Sequence, residues 1–355
     1  MTLAWLVAAV VFVAFANGAN DNFKGVASLH GSGVLGYRPA LAWATITTLA
    51  GSLGAGWLAG GLVSRFTGKG LVADAVVADP TFLLAVAGGA AATVLAATRL
   101  GFPVSTTHAL TGALVGAGMV FAGPSHVAYA TLGRAFALPL VAGPLLGAAL
   151  TAGLYASLRQ ARIALGVTHE DCLCVGRRAP LAALTARGQV VPMGGGLDLS
   201  VDRPERCERR YGGSLLGVRV QSALDGLHVL TGGAVGFARG LNDTPKILAL
   251  LVGAGALGVH DGIGLVAVAM AAGGLLAARR VAHTLAHGIT VLNHGQGFAA
   301  SLVTAALVTA ASPLGSLIYG ADVYHDDVDS YSRTLNSDGS VKSAAIQGPV
   351  GDDAA

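Results

Sequence analysis

FANGANDNFK, residues 15–24, and FARGLNDTPK, residues 237–246, carry the same pattern twice. Six positions agree in register: Phe15/Phe237, Ala16/Ala238, Gly18/Gly240, Asn20/Asn242, Asp21/Asp243 and Lys24/Lys246. A pattern that returns in the second half of a chain marks two related structural units. Each copy also interrupts an otherwise apolar run with Gly, Asn and Asp, residues that favour caps and turns over helix interiors. The second copy adds Pro245, which removes a helical donor.

The surroundings say where these runs sit. The chain is 53% hydrophobic and 12% charged, with 52 Gly, and its mean hydropathy is +0.65. A soluble domain carries about 25% charged residues. Apolar runs of near-spanning length occupy 3–34, 39–64, 81–98, 102–122, 136–158, 215–257, 263–278 and 288–311, where a helical span needs about 20 residues. They are too uniformly apolar for barrel strands, which alternate. The expectation is an all-α, polytopic transmembrane helical protein. Residues 3–16 resemble a secretory leader, but they lack a basic start and run directly into the repeated motif. The net charge of +3 lies along loops and gives nucleic acid no footprint.

Four regions follow: a first transmembrane repeat at 1–158, a linker at 159–214, a second repeat at 215–315 and a polar tail at 316–355, read as disordered. The linker holds Arg159, Arg162, Arg177, Arg178, Arg187, Arg203, Arg206, Arg209 and Arg210, so the positive-inside rule makes it cytoplasmic. Five spans before it put the N-terminus outside. Arg38, Arg99, Arg279 and Arg280 then fall inside, while Arg65 and Lys69 fall outside and oppose the assignment.

Irregular backbone at membrane depth survives only where protein buries it or a cavity takes it. Paired interruptions at matching places of two halves point to a transporter's binding site. Free N–H groups at half-helix starts suit anions. An Asp there is costly and functional by default; Asp21 and Asp243 would hold Na⁺ or a proton that offsets the anion's charge. A second cradle is written in PVSTTH, 103–108. Pro103 ends what precedes it, and Ser105, Thr106 and Thr107 offer hydroxyls and N–H groups at a helix start. An ordinary Ser/Thr cap has the same signature. His108 could assist proton coupling, or simply pack.

Together NGANDNFKG (17–25), GFPVSTTHALTGALVGAG (101–118) and ARGLNDTPK (238–246) resemble the PiT-type inorganic phosphate transporters. The likeness runs from the N-terminus to about Gly315. It implies two inverted repeats, helices broken near the bilayer midplane and cation-coupled phosphate uptake in a multi-pass cell-membrane protein. By that resemblance Asn20, Asn242, Ser105, Thr106 and Thr107 bind phosphate, and Asp21 and Asp243 couple the ion. Asn17, Lys24, His108 and Lys246 are secondary candidates. No cofactor is implied beyond the coupling ion, Na⁺ or H⁺. The implied partners are inorganic phosphate and the lipid bilayer, and a second copy of the chain stays open. Members of the family repeat PVSTTH in the second half. Here AASPLG (310–315) stands where that motif is expected, followed by SLIYGAD. A sulfate or other oxyanion permease, or a membrane protein that does not transport, is the competing reading.

Other signals are weaker. His169, Cys172, Cys174 and Cys207 could hold zinc, but C-x-C spacing is atypical and reduced thiols are the reading taken. His283 and His287 could face one side of a helix, and a polar interface is the reading taken. Gly51, Gly54, Gly56, Gly60 and Gly61, with Gly112, Gly116 and Gly118, read as helix-packing surfaces. The G-x-x-x-x-G-K-[ST] loop of an ATP-driven pump does not occur. Ser105, His108 and Asp21 lack the accompanying oxyanion hole of a hydrolase, so no enzyme is expected.

Overall fold

The computed structural model describes residues 1–311 apart from 59–62, 64–65, 69, 169–170, 178–180, 185–189, 194–196, 204–214 and 290–291. In the first half, α1 (Thr2–Asp21) passes through a 3-10 turn (Lys24–Val26) into α2 (Ala27–Gly31). Then come α3 (Tyr37–Leu58), α4 (Asp74–Val77), α5 (Pro80–Leu100), α6 (Thr106–Phe121), α7 (Tyr129–Leu132) and α8 (Leu138–Ala164). The second half holds α9 (Val220–Gly253), α10 (Val259–Ala277), α11 (Arg279–His283) and α12 (His294–Ala311). Residues 2–31, 80–100, 138–164 and 259–277 form helices long and apolar enough to cross a membrane.

Local chemistry sets the ends. Asp79 caps α5 by accepting from the Thr81 N–H, with Pro80 at the first helical position, and Gly101 closes the helix at φ 82°. Phe82 and Phe121 meet edge to face at one end of the α5–α6 pair. The pair is therefore an antiparallel hairpin whose tip is the loop 101–105.

Two sequence expectations need correction. The linker carries strands: β1 (Cys172–Arg177), β2 (Leu181–Leu184), β3 (Val190–Met193) and β4 (Leu197–Asp202) lie in it, and β5 (Leu215–Arg219), the start of the run read as 215–257, joins them in antiparallel sheets ordered β4-β1-β5 and β2-β3. Extended segments outside a bilayer can satisfy their backbone groups by pairing, and the arginine count gave no sign of it. The second interruption does not break its helix. α9 runs 34 residues straight through Asn242, Asp243, Thr244 and Pro245. Neighbouring helices and side chains can compensate the donor that proline removes, and every residue from Ala238 to Leu251 is buried. In the first copy the helix changes pitch at Asp21–Lys24 without a gap.

The two halves embrace. α1 lies along α10, and α3 along α9; α5 packs on α1, as α12 packs on α9. The close approaches exchange in the same way. A β-carbon on Gly18 would overlap the Met270 carbonyl, and one on Gly240 the Thr48 carbonyl. One on Gly51 would overlap the Phe237 carbonyl, and one on Gly273 the Phe15 carbonyl. At the offset that matches Phe15 with Phe237, Thr48 matches Met270 and Gly51 matches Gly273. Glycine is present there because only a hydrogen fits between the backbones. The expectation for α6 differs in outcome: Gly118 meets Val72, while Gly112 and Gly116 face open space.

Candidate functional site

Both Asn-Asp corners lie where α1, α9 and the hairpin tip converge. Asn17, Asn20, Asp21, Lys24, Thr106, Thr107, Asn242, Asp243 and Lys246 are all buried. Asn17 is the hub. Its amide nitrogen lies 3.2 Å from Asp21 Oδ2, 2.8 Å from Thr106 Oγ1 and 3.3 Å from Asp243 Oδ2. One side chain thus joins the first corner, the second corner and the hydroxyl loop.

Each Asp has its Lys one turn on. Lys24 Nζ is 2.7 Å from Asp21 Oδ1, and Lys246 Nζ is 3.3 Å from Asp243 Oδ1. Lys24 also donates to the Val104 carbonyl at 2.6 Å. The Lys246 ammonium stands 5.8 Å above the Phe66 ring, a cation–π contact. Removing one partner of such a buried pair costs about 3–5 kcal/mol. Arg239, which the repeat matches to Asn17, is buried too. Lys24, Lys246 and Arg239 bring three buried basic side chains to the corner that holds Asp21 and Asp243, a setting that suits an anion.

The hydroxyl loop divides its labour. Asn20 donates to Thr98 Oγ1 at 2.9 Å and to the Phe102 carbonyl at 3.0 Å, and accepts from the Val104 N–H at 2.9 Å. Its side chain is spent on holding the loop. Ser105 caps α6, accepting from the His108 N–H at 3.3 Å, so the ordinary cap applies to this residue. Thr106 faces Asn17 and Asp21, its hydroxyl 3.5 Å from Asp21 Oδ2. His108 points to the exposed side of α6, away from the corner. The buried Asn17 Oδ1, Thr107 Oγ1, Thr111 Oγ1 and Asn242 Oδ1 have no hydrogen-bonding partner. Buried polar atoms left so are rare and mark a place for a ligand or ordered water.

The hairpin tip is tied to the second half from outside as well. Arg280 donates to the Arg99 carbonyl at 2.6 Å, so two of the arginines assigned to one side of the bilayer do share one end of the bundle. Arg65 and Lys69 lie outside the described residues.

Sequence reading nominated nine of these residues but ranked Asn17 second and passed over Arg239, Thr98 and Thr111. Asn17 and Arg239 sit at matching places inside the two quoted copies, and that was the available signal. Thr98 and Thr111 are threonines in apolar helices with no signal of their own. Among the described residues no group of three His, Cys, Asp or Glu side chains could hold a metal ion. Cys172 is buried and forms no disulfide, and His169 and Cys207 lie outside the described residues. The His283 and His287 rings are 5.5 Å apart on an exposed face, with His30 5.1 Å from His287.

A charged and hydroxyl-lined corner sealed inside apolar helices, fed by both halves, defines an integral membrane transport protein. The chain belongs to the phosphate transporter family (PHO4), which matches residues 17–317. Its similarity to a protein of Haemophilus influenzae named "Putative phosphate permease" is 28% identity, covering 88% of this chain and 83% of that one. Inorganic phosphate transporter 2-1, chloroplastic, of Arabidopsis thaliana is 32% identical over 42% of this chain and 25% of its own length. A solved structure titled "The sodium-dependent phosphate transporter" shares the fold, with a TM-score of 0.66 at 20% identity over 91% of this chain and 87% of the other. Members of this family are transporters and not enzymes.

Proposed function

We propose that this protein is a secondary active transporter of inorganic phosphate, and that it binds the anion between its two halves and couples its movement to a cation. The observation that carries the reading is the hub at Asn17, which joins Asp21, Asp243 and Thr106. Around it stand the buried basic side chains of Lys24, Lys246 and Arg239, and buried oxygens without partners. Thr106, Thr107 and the first N–H groups of α6 would receive phosphate oxygens, as helix starts do. Asn20 would act by holding the loop that presents them, and Asn242 by accepting, at its unpartnered Oδ1, the hydroxyl of a phosphate that still bears a proton. Asp21 and Asp243 would take the coupling ion, since carboxylates repel the anion itself. Na⁺ is favoured over H⁺: the unpartnered acceptors are oxygens, which suit a hard cation, and the similar solved structure is titled sodium-dependent. The membrane would be the cell membrane, and the repeats inverted.

The test is uptake of radiolabelled phosphate into proteoliposomes holding the purified chain, under an imposed Na⁺ or H⁺ gradient, with sulfate as competitor. Uptake that follows the Na⁺ gradient and resists sulfate is expected. Uptake driven by H⁺ alone would move the coupling ion. Displacement by sulfate would widen the substrate class. No uptake by well-folded protein would leave the chain as a binding protein, the reading favoured by AASPLG at 310–315 in place of a second PVSTTH.

A further inference from the structure

Away from the anion site, a second buried polar cluster ties the halves together. Ser28 Oγ on α2 lies 2.9 Å from His228 Nε2 on α9 and 3.3 Å from Ser301 Oγ on α12. The His228 ring is fully buried, and its Nδ1 has no hydrogen-bonding partner. The fit is tight, for a β-carbon on Gly297 would stand 2.5 Å from His228 Cε1. Asp225, one turn away on α9, is engaged with His294 at 2.6 Å.

The repeat supplies its own control. At the offset that matches the two corners, His228 corresponds to Leu6 and Ser28 to Leu250. Both leucines are buried, at 0% and 1% exposure, in one apolar cluster. Of the two equivalent places in the fold, each built from both halves, one is filled by leucines and the other by an imidazole and a hydroxyl. Packing does not require histidine there, and a buried ring with an orphan nitrogen is costly.

Ser28 ends a short strut that begins at Lys24. Between them Gly25 lies against α9, where a β-carbon would be 2.9 Å from the Gly236 nitrogen and 3.1 Å from the Gly232 oxygen. Lys24, at the other end, holds Asp21 at 2.7 Å and the Val104 carbonyl at 2.6 Å. We propose that His228 is a positioning residue for the anion site: through Ser28 it fixes the Lys24–Ser28 strut, and with it the ammonium that joins Asp21 to the hydroxyl loop. This rests on reading that corner as the phosphate site.

The test compares full-length wild type with His228→Gln, which keeps a donor for Ser28, and with the Ser28→Leu/His228→Leu double variant, which copies the leucines of the equivalent place. Amide exchange across residues 22–32, the KM and maximal rate for inorganic phosphate, and melting temperature are read for each. The double variant should melt within about 1 °C of wild type, the shift that somewhat less than about 1 kcal/mol produces in a chain of this length. It should nevertheless exchange its strut about tenfold faster and show a KM raised about tenfold, with the maximal rate changed less than about twofold, a loss of about 1.4 kcal/mol in ground-state binding. His228→Gln should restore both. Unchanged strut exchange and KM in the double variant would overturn the proposal. Should that variant not fold, Ser28→Ala, which removes only the hydroxyl, must show the same direction of change or the proposal fails. If wild type itself takes up no phosphate, the transport reading falls, while strut exchange still decides the role of His228.

Discussion

The first Asn-Asp corner and the second are the same residues in different company. Asn20 makes three hydrogen bonds to the hairpin leading into α6, while Asn242 keeps a buried oxygen without a partner. Lys24 reaches across to Val104 as well as Asp21, while Lys246 sits over Phe66 beside Asp243. Asn17 bridges, and Arg239 stands in its place in the other half. Duplication thus supplies a two-fold frame, and divergence makes the site one-sided. The first half organises the loop and presents its hydroxyls. The second half contributes the buried Arg239 and the open acceptor of Asn242.

The comparison can be broken at its strongest point first. Asp21→Asn and Asp243→Asn should each abolish coupled phosphate uptake in proteoliposomes, by about 100-fold or more, with membrane insertion intact. That is the scale expected when a buried cation loses its partner. Full coupled uptake in either variant would remove the carboxylates from the mechanism. Next come the glycines that carry the two-fold frame. Gly18→Ala and Gly240→Ala should destabilise by similar amounts, about 1–3 kcal/mol as overpacking does, since each β-carbon meets a backbone carbonyl of the opposite half. Clearly unequal melting temperatures for the pair would show that the two contacts are not equivalent.

Asn20→Ala should cost about 2–3 kcal/mol, from three hydrogen bonds at about 1 kcal/mol each. Asn242→Ala should cost less than about 1 kcal/mol on the same scale. Denaturation of the two variants side by side measures the asymmetry directly, and equal losses would erase it. The smallest effect on stability belongs to Thr107→Val. Its hydroxyl has no partner to lose, so the melting temperature should hold while the KM for phosphate rises about tenfold, the worth of one charge-assisted hydrogen bond. Thr106→Val, which also gives up Asn17, should lower both affinity and melting temperature. An unchanged KM in Thr107→Val would place the anion elsewhere.

Much of this was legible because the bilayer leaves few solutions. With no water to satisfy backbone groups, long apolar runs must be helices; each of the eight runs read from hydropathy contains a helix, and among the described residues four of these are long and apolar enough to span. The repeated motif located the corners, since expensive polar residues at membrane depth persist for function. Side-chain duties were less legible. Ser105 looks like Thr106 in the sequence, yet one caps a helix and the other faces Asp21. Asn20 looks like Asn242, yet only one meets the hairpin tip.

By itself the sequence determined the membrane setting, the helical class, the duplication and the identity of the polar corners, because hydropathy and repeated residues act locally along the chain. Tertiary structure alone decided that α9 runs unbroken through Pro245, that the linker carries paired strands, and that Asn17 is the hub. It also decided that His228 grips Ser28 where the equivalent place across the two-fold holds Leu6 and Leu250. Each of these depends on which distant side chains fill the space and meet the hydrogen-bonding groups of a buried residue, and that matching exists only once the two halves have packed together.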